Sequence, residues 1–243
     1  MLKIENVEIA GWKPAIRGMR NPKNSWDRSD SHWGCFEDNC DSCPDWRACM
    51  GSKAKFVVEE NDYGLMMNLA KGGPVHAKYR RMIVVWLDIT APLYWWKEFD
   101  TYKVGTVANS CSTMHKIHDK RFEREDFSIE HLLNNEEQHW MVCMDNVISS
   151  LNVAREKYLE TKSKPMKEEG KRSELMKKYW WQMIQLLPSS YNQKRTIKLN
   201  YEVLHHMYHD RRFHKLDEWH TFCDWVEALP YSEIMTQKVV GIE

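Results

Sequence analysis

The chain carries no excess charge of either sign: 35 Lys and Arg offset 35 Asp and Glu over 243 residues. Proteins dedicated to nucleic acid or to an anionic membrane surface usually carry a basic surplus, so neither partner is expected. No apolar run approaches the roughly 18 residues of a membrane span. The opening Met-Leu-Lys-Ile-Glu-Asn lacks the apolar core of a signal peptide, and a cytoplasmic location is the expectation that follows. Also missing are the GxSxG, P-loop and Rossmann glycine fingerprints. The common one-motif routes to an enzymatic assignment are therefore closed.

What is there is a soluble globule's composition, 42% hydrophobic and 29% charged. The length suits one large domain or at most two small ones. Seven cysteines in a reducing compartment are expected as thiols or metal ligands rather than disulfides. Twelve tryptophans fit aromatic pockets and a large core equally well.

In chain order, Val7–Ala10 alternates as an edge strand does, and Ala15–Met19 is expected as a short helix. Asn21 to Ser52 shows no sustained period and is expected as a long loop, held by something or functional. Cys35, Cys40, Cys43 and Cys49 supply a candidate holder, with His32 just upstream. Four soft ligands can close a tetrahedral zinc site. The same thiolates serve an iron–sulfur cluster, and free surface cysteines are the alternative. A metal-dependent protein centred on this loop is one functional reading. Asp62–Lys71 has helical spacing and ends at Gly72-Gly73. Met82–Thr90 is an apolar, β-branched run expected as a buried strand that Pro92 breaks.

Ala91–Lys116 combines Tyr94, Trp95 and Trp96 with Glu98, Asp100, Thr101, Tyr102, Lys103, Thr106, Asn109, Ser110, Ser112 and Thr113. Buried polar groups need partners. The segment is either the wall of a pocket for a flat polar ligand, or a capped helix followed by a Ser/Thr-rich turn. Beyond it, His118–Asp126 reads as a solvated loop and Ser128 as a helix N-cap. Helices are expected at Asn135–Lys162, Lys171–Leu186, Thr196–Asp210 and Leu216–Leu229, with a linker at 164–170 and a break at Leu187–Tyr191. Strands early and long helices late give an α+β fold. His205, His206, His209 and His214 invite a metal, or line a solvated face. Arg211 and Arg212 among them suit a phosphate or carbonyl, or complement a helix C-terminus.

From Gly73 onward the chain resembles the flavin-dependent thymidylate synthases, or thymidylate-synthase-complementing proteins. That family carries a strand followed by QxxRHRxxSxNExSxRY, then a late LPxxxYT and an N…R helix. Here His76 stands at the family's glycine–histidine turn and Glu98 at the glutamine. Thr101-Tyr102-Lys103 replace Arg-His-Arg, and Thr106 falls at the serine. With one extra residue, Asn109 and Ser112 match the asparagine and second serine. Leu187-Pro188-Ser-Ser-Tyr191 resembles the LP…Y turn, and Asn200 and Arg211 keep the family's eleven-residue separation. Ile184 stands where an arginine is expected before Pro188, and Met114 or His115 where another follows Ser112. The resemblance spans roughly residues 60–230.

It implies an α+β fold with a central, mostly antiparallel sheet flanked by long helices. Residues 1–243 would form one domain with a Cys-rich insertion at about 21–55. It further implies FAD reduced by NADPH, and transfer of a one-carbon unit from methylenetetrahydrofolate to dUMP or a related pyrimidine nucleotide. The implied cofactor-binding residues are His76, Thr101, Tyr102, Lys103, Thr106 and His206. Glu98, Asn109, Ser112 and Arg211 would bind substrate, with Arg211 and Ser112 in catalytic roles. A homo-oligomer, by resemblance a tetramer, is implied. A catalytically inactive member that binds a nucleotide or serves as an interaction protein is the alternative.

Overall fold

The computed structural model describes residues 1–35, 54–133, 135, 139–164 and 169–237. The chain divides into two compact units. One is made of Met1–Asn6, Leu87–Thr101 and Ala108–Ile197; the other of Val7–Trp86, Tyr102–Val107 and Lys198–Glu243. Among the described residues, no helix is long and apolar enough to cross a membrane.

The unit that begins at Val7 starts with the second half of strand β1 (Lys3–Ala10) and a glycine with no alternative. Gly11 has φ +103°, and a Cβ there would lie 2.0 Å from the Met82 carbonyl oxygen. It launches helix α1 (Trp12–Arg20), whose Trp12, Ala15, Ile16 and Met19 form one buried stripe. The expected long loop after it is partly built. It contains 3₁₀ turns at Asn21–Lys23 and Trp26–Arg28 and strand β2 (His32–Cys35), which pairs antiparallel with β3 (Ala54–Val57).

What holds the described part of that loop is a carboxylate. Asp62, buried in helix α2 (Glu60–Lys71), takes Arg20 Nε at 2.6 Å, the hydroxyls of Ser29 and Ser31 at 2.7 Å each, and the Ser31 N–H at 3.1 Å. Asp30 returns the favour by accepting the N–H groups of Asn61 and Asp62 in the first turn of α2. A 3₁₀ segment, Ala77–Met82, then buries Arg80. Arg80 Nε lies 2.8 Å from Glu202 Oε2, and Arg80 Nη1 donates to the Ile234 carbonyl at 3.0 Å.

The unit containing the N-terminus holds helix α3 (Leu93–Phe99), strand β5 (Val107–Ser110, from Ala108 on), helix α4 (Thr113–Lys116), and the helices α5 (Trp140–Ser163) and α6 (Glu169–Leu186). Strand β4 (Val84–Pro92) runs straight into α3, whose Trp95, Trp96 and Phe99 are buried on one another. Helices α5 and α6 pack together. Their core joins Met144, Ile148, Leu151, Ala154 and Met183 with Ile117, Phe122 and Phe127.

Several sequence expectations change. Thr196–Asp210 is not one helix: strand β6 (Asn192–Asn200) precedes helix α7 (Tyr201–Arg211). The alternation Gln193, Ile197, Leu199 buries one strand face, and Asn200 caps the helix by accepting the Val203 N–H at 3.0 Å. The Ser/Thr-rich turn contains β5. Ser128 caps no helix: its N–H donates to the Ser190 carbonyl, and Phe127 bridges Tyr191 as an antiparallel partner. The His118–Asp126 loop is anchored by buried Phe122. Helix α5 starts at Trp140 rather than at Asn135.

The four-stranded antiparallel sheet has the order β1–β4–β6–β5. The fold class is α+β, as the sequence order of strands and helices implied.

Asn152 carries a clean test of the α5–α6 core. Its side chain accepts the Phe122 N–H and donates to the Phe122 carbonyl, both at 2.9 Å and buried. Asn152→Ala leaves both backbone groups without partners and should cost roughly 2–4 kcal/mol. Urea unfolding should show a lower midpoint with an unchanged slope.

Candidate functional site

In the unit that begins at Val7, Tyr102 meets helix α7, which carries His206 and Arg211. Tyr102 and Arg211 meet: Arg211 Nε donates to the Tyr102 hydroxyl at 3.0 Å. That hydroxyl donates in turn to Asp210 Oδ2 at 3.1 Å. The Arg211 guanidinium lies 5.5 Å from the Tyr102 ring centre and 5.2 Å from that of Trp219. Trp219 is fully buried and belongs to helix α8 (Asp217–Glu227). Burial pushes the Tyr102 phenol up to about 12, with the Asp210 charge adding and the Arg211 charge opposing. A phenol kept protonated must donate to the carboxylate and accept from the guanidinium, so the direction of the chain of bonds is set.

The segment after Tyr102 runs back to the start of the same helix. Gly105 has φ +82°, and a Cβ there would meet Val203 Cγ2 at 3.0 Å and Asn200 Nδ2 at 3.3 Å. Lys103 is exposed. The Thr106 hydroxyl is buried without a hydrogen-bond partner among the described residues. His76 is exposed at the start of the 3₁₀ segment, its ring against Gly72. His206 is exposed, with Nε2 3.5 Å from Glu202.

The histidine row does not converge on a metal. His205 Nδ1 and His209 Nε2 both reach the Met235 carbonyl, at 2.5 and 3.2 Å. An acceptor shared this way requires an N–H at each of those atoms. Among the described residues no three His, Cys, Asp or Glu side chains group as metal ligands. Cys40, Cys43 and Cys49 lie outside the described residues, as does the side chain of Cys35.

The other unit holds Glu98, Thr101, Asn109 and Ser112. The Thr101 hydroxyl donates to the Glu98 carbonyl at 2.7 Å, closing its own turn. Ser112 Oγ accepts the His115 N–H at 3.1 Å as the cap of α4. Asn109 is exposed on β5. Arg195 has a defined place in this unit. Its guanidinium lies 4.2 Å from the Trp96 ring centre, Nε donates to Gln193 Oε1 at 3.0 Å and Nη1 to Asp100 at 2.7 Å. The Leu187–Tyr191 turn is a clasp: Leu93 donates to the Tyr191 carbonyl, Tyr94 to Ser189 and Ser128 to Ser190.

No protein-family model and no curated protein matches the sequence. Solved structures do match. Thymidylate synthase X (ThyX) of Helicobacter pylori, with FAD and dUMP, has a TM-score of 0.60 at 13% identity over 97% of both chains. The fold is ThyX-like. A second Helicobacter pylori structure, flavin-dependent ThyX complexed with FAD and dUMP, scores 0.55 at 12% identity over 96% of this chain and 97% of that one. The UMP/dUMP methylase PolB of Streptomyces cacaoi, bound with 5-Br dUMP, scores 0.52 at 14% identity over 97% and 95%. At these identities the likeness to ThyX and PolB is one of fold.

The ThyX structures hold FAD. A flavin dinucleotide takes cationic and hydroxyl donors at its diphosphate. Exposed Lys103, exposed His206 and the unpartnered Thr106 hydroxyl are donors of that kind. Tyr102 is committed to Arg211 and Asp210, and Thr101 to its own turn. These side chains have the donor chemistry such a group takes, with fewer cations than an Arg-His-Arg cluster would bring.

Asp210 and Trp219 were missed in sequence. Asp210 sits beside Arg211, but its acid reads equally as a solvated helix end. Trp219 is one aromatic among many.

His205 gives a pH test of the helix that carries Arg211. Burial, and then the nearby Arg80 charge, depress its imidazole to about 4. A histidine depressed below its unfolded value near 6.5 adds stability that is fully present above pH 6.5. That stability is lost as pH falls toward 4, because the unfolded chain takes up the proton first. His205→Asn, whose amide replaces Nδ1–H, should flatten the loss by up to roughly 3 kcal/mol. Urea midpoints of both proteins between pH 7 and 4.5 read it directly.

Proposed function

We propose that this chain binds a pyrimidine nucleotide and transfers a one-carbon unit from methylenetetrahydrofolate to carbon 5 of dUMP or a close relative. The observation that carries the proposal is Arg211 on helix α7. In a ThyX-like fold, one helix bears Asn200 at its first cap and Arg211 at its far end, with the guanidinium set against Tyr102 and Trp219. A guanidinium held this way donates to a carbonyl oxygen and stabilises the charge that builds on it when carbon 5 becomes nucleophilic. FAD, reduced by NADPH, would supply the hydride, since amino-acid side chains do not donate hydride. Lys103, His206 and Thr106 would hold it, with His76 and Thr101 as further contacts carried by the resemblance. Glu98, Asn109 and Ser112 are proposed to bind substrate. A homo-oligomer, the tetramer of the resemblance, belongs to the same proposal.

A second reading has its own observation. The hydroxyls of Thr101 and Tyr102 are engaged within the chain, and Ile184 packs on an apolar core where a cation is expected. That favours a member that holds a nucleotide without turning it over.

Purified protein decides between them. A bound yellow flavin, and dTMP formed from dUMP with methylenetetrahydrofolate, NADPH and FAD, support the enzyme. Saturating dUMP at about 100 times its Kd should stabilise the fold by about 2.7 kcal/mol, raising Tm by roughly 5–10 °C. A shift without turnover selects the second reading. Colourless protein that takes up no FAD and shows no shift with dUMP defeats both.

A further inference from the structure

We propose that Tyr102 is a positioning residue: it sets the plane of the Arg211 guanidinium and thereby selects a uracil ring over a cytosine ring. The inference rests on the reading of Arg211 as the group that faces the pyrimidine, and it gives Tyr102 a different task from contact with a cofactor.

An arginine at a helix end swings through several rotatable bonds, and its charge alone does not distinguish one planar ring from another. Discrimination requires that the N–H groups point in a fixed direction. Tyr102 and Trp219 both constrain Arg211. Its Nε is tied to the Tyr102 hydroxyl at 3.0 Å, and its guanidinium carbon lies 5.2 Å from the ring centre of a fully buried tryptophan. The hydroxyl is itself oriented by donating to Asp210 at 3.1 Å. The bonds run from guanidinium to phenol to carboxylate, and none can be reversed. Arginine has no acceptor, an ionised carboxylate has no donor, and the phenol stays protonated at neutral pH. Asp210 also sets a negative charge one hydroxyl away from the positive one.

Uracil and cytosine differ where such an orientation matters. Uracil presents a carbonyl oxygen at position 4, and cytosine an amine that donates. A fixed N–H donor satisfies the first and opposes the second, and a site built to hydrogen-bond one group rejects the analogue that lacks it. A guanidinium free to swing would lose that contrast while keeping its charge.

The test measures Kd for dUMP and for dCMP by titration calorimetry on the full chain. Tyr102→Phe keeps the ring and removes the hydroxyl. Its dUMP Kd should rise about tenfold, the size of one hydrogen bond to a charged group. The dUMP-over-dCMP preference should shrink by a similar factor, whereas a merely structural loss would weaken both nucleotides equally. In an Arg211→Gln background, Tyr102→Phe should change the dUMP Kd by less than about twofold, because it acts through Arg211. Asp210→Ala, at an exposed position, approaches from the other end and should contract the preference in the same direction. It also decides the matter if Tyr102→Phe fails to fold. An unchanged preference in these variants, or additive effects of Tyr102→Phe and Arg211→Gln, overturns the inference and leaves the proposed function standing. A wild-type chain that binds neither nucleotide overturns both.

Discussion

Arg80 and Glu202 form a buried ion pair on which much of the unit that begins at Val7 depends. Arg80 comes from a 3₁₀ segment, Glu202 from the first turn of α7, and the same guanidinium reaches the Ile234 carbonyl of helix α9 (Glu233–Thr236). Two desolvated charges are costly to assemble, and such a pair seldom adds net stability over an apolar substitute. What it does is penalise every arrangement in which either partner is alone. Breaking a pair of this kind typically costs about 3–5 kcal/mol. The start of α7 is thus fixed in register, and with it the placement of Arg211 about two and a half turns later.

Each unit also holds short polar contacts of its own. Met235 presents one carbonyl to two imidazoles, Asp62 collects Arg20 and two serines, and Asn152 closes both polar groups of Phe122. At Ser31 and at Phe122 a short side chain substitutes for regular backbone pairing. Histidines that look like metal ligands on a helical wheel are here a structural clamp.

The sequence revealed the outline better than the boundaries. The apolar run before Pro92, the helix ending at Gly72, and the long helices after 140 follow from periodicity alone. The alternation of Gln193, Ile197 and Leu199 was masked because the helical signal of Tyr201–Arg211 begins immediately after it, and a helix-period window absorbs both. Strand β5 escaped because all four of its residues are exposed, so no burial pattern marks it. Of the site, the pairing of Asn200 with Arg211 was legible as a spacing. The partnership of Tyr102 with Arg211 was not, since residues 109 positions apart meet by tertiary folding. Asp62 as the organiser of the 21–31 segment was hidden by the more conspicuous cysteines.

The segment from Tyr102 to Gly105 is moored to the two ends of one helix, by a phenol at Asp210 and Arg211 and by a bare backbone at Asn200 and Val203. Between the two the chain makes a turn at Val104 and Gly105. The turn leaves Val104, an apolar side chain, 91% exposed.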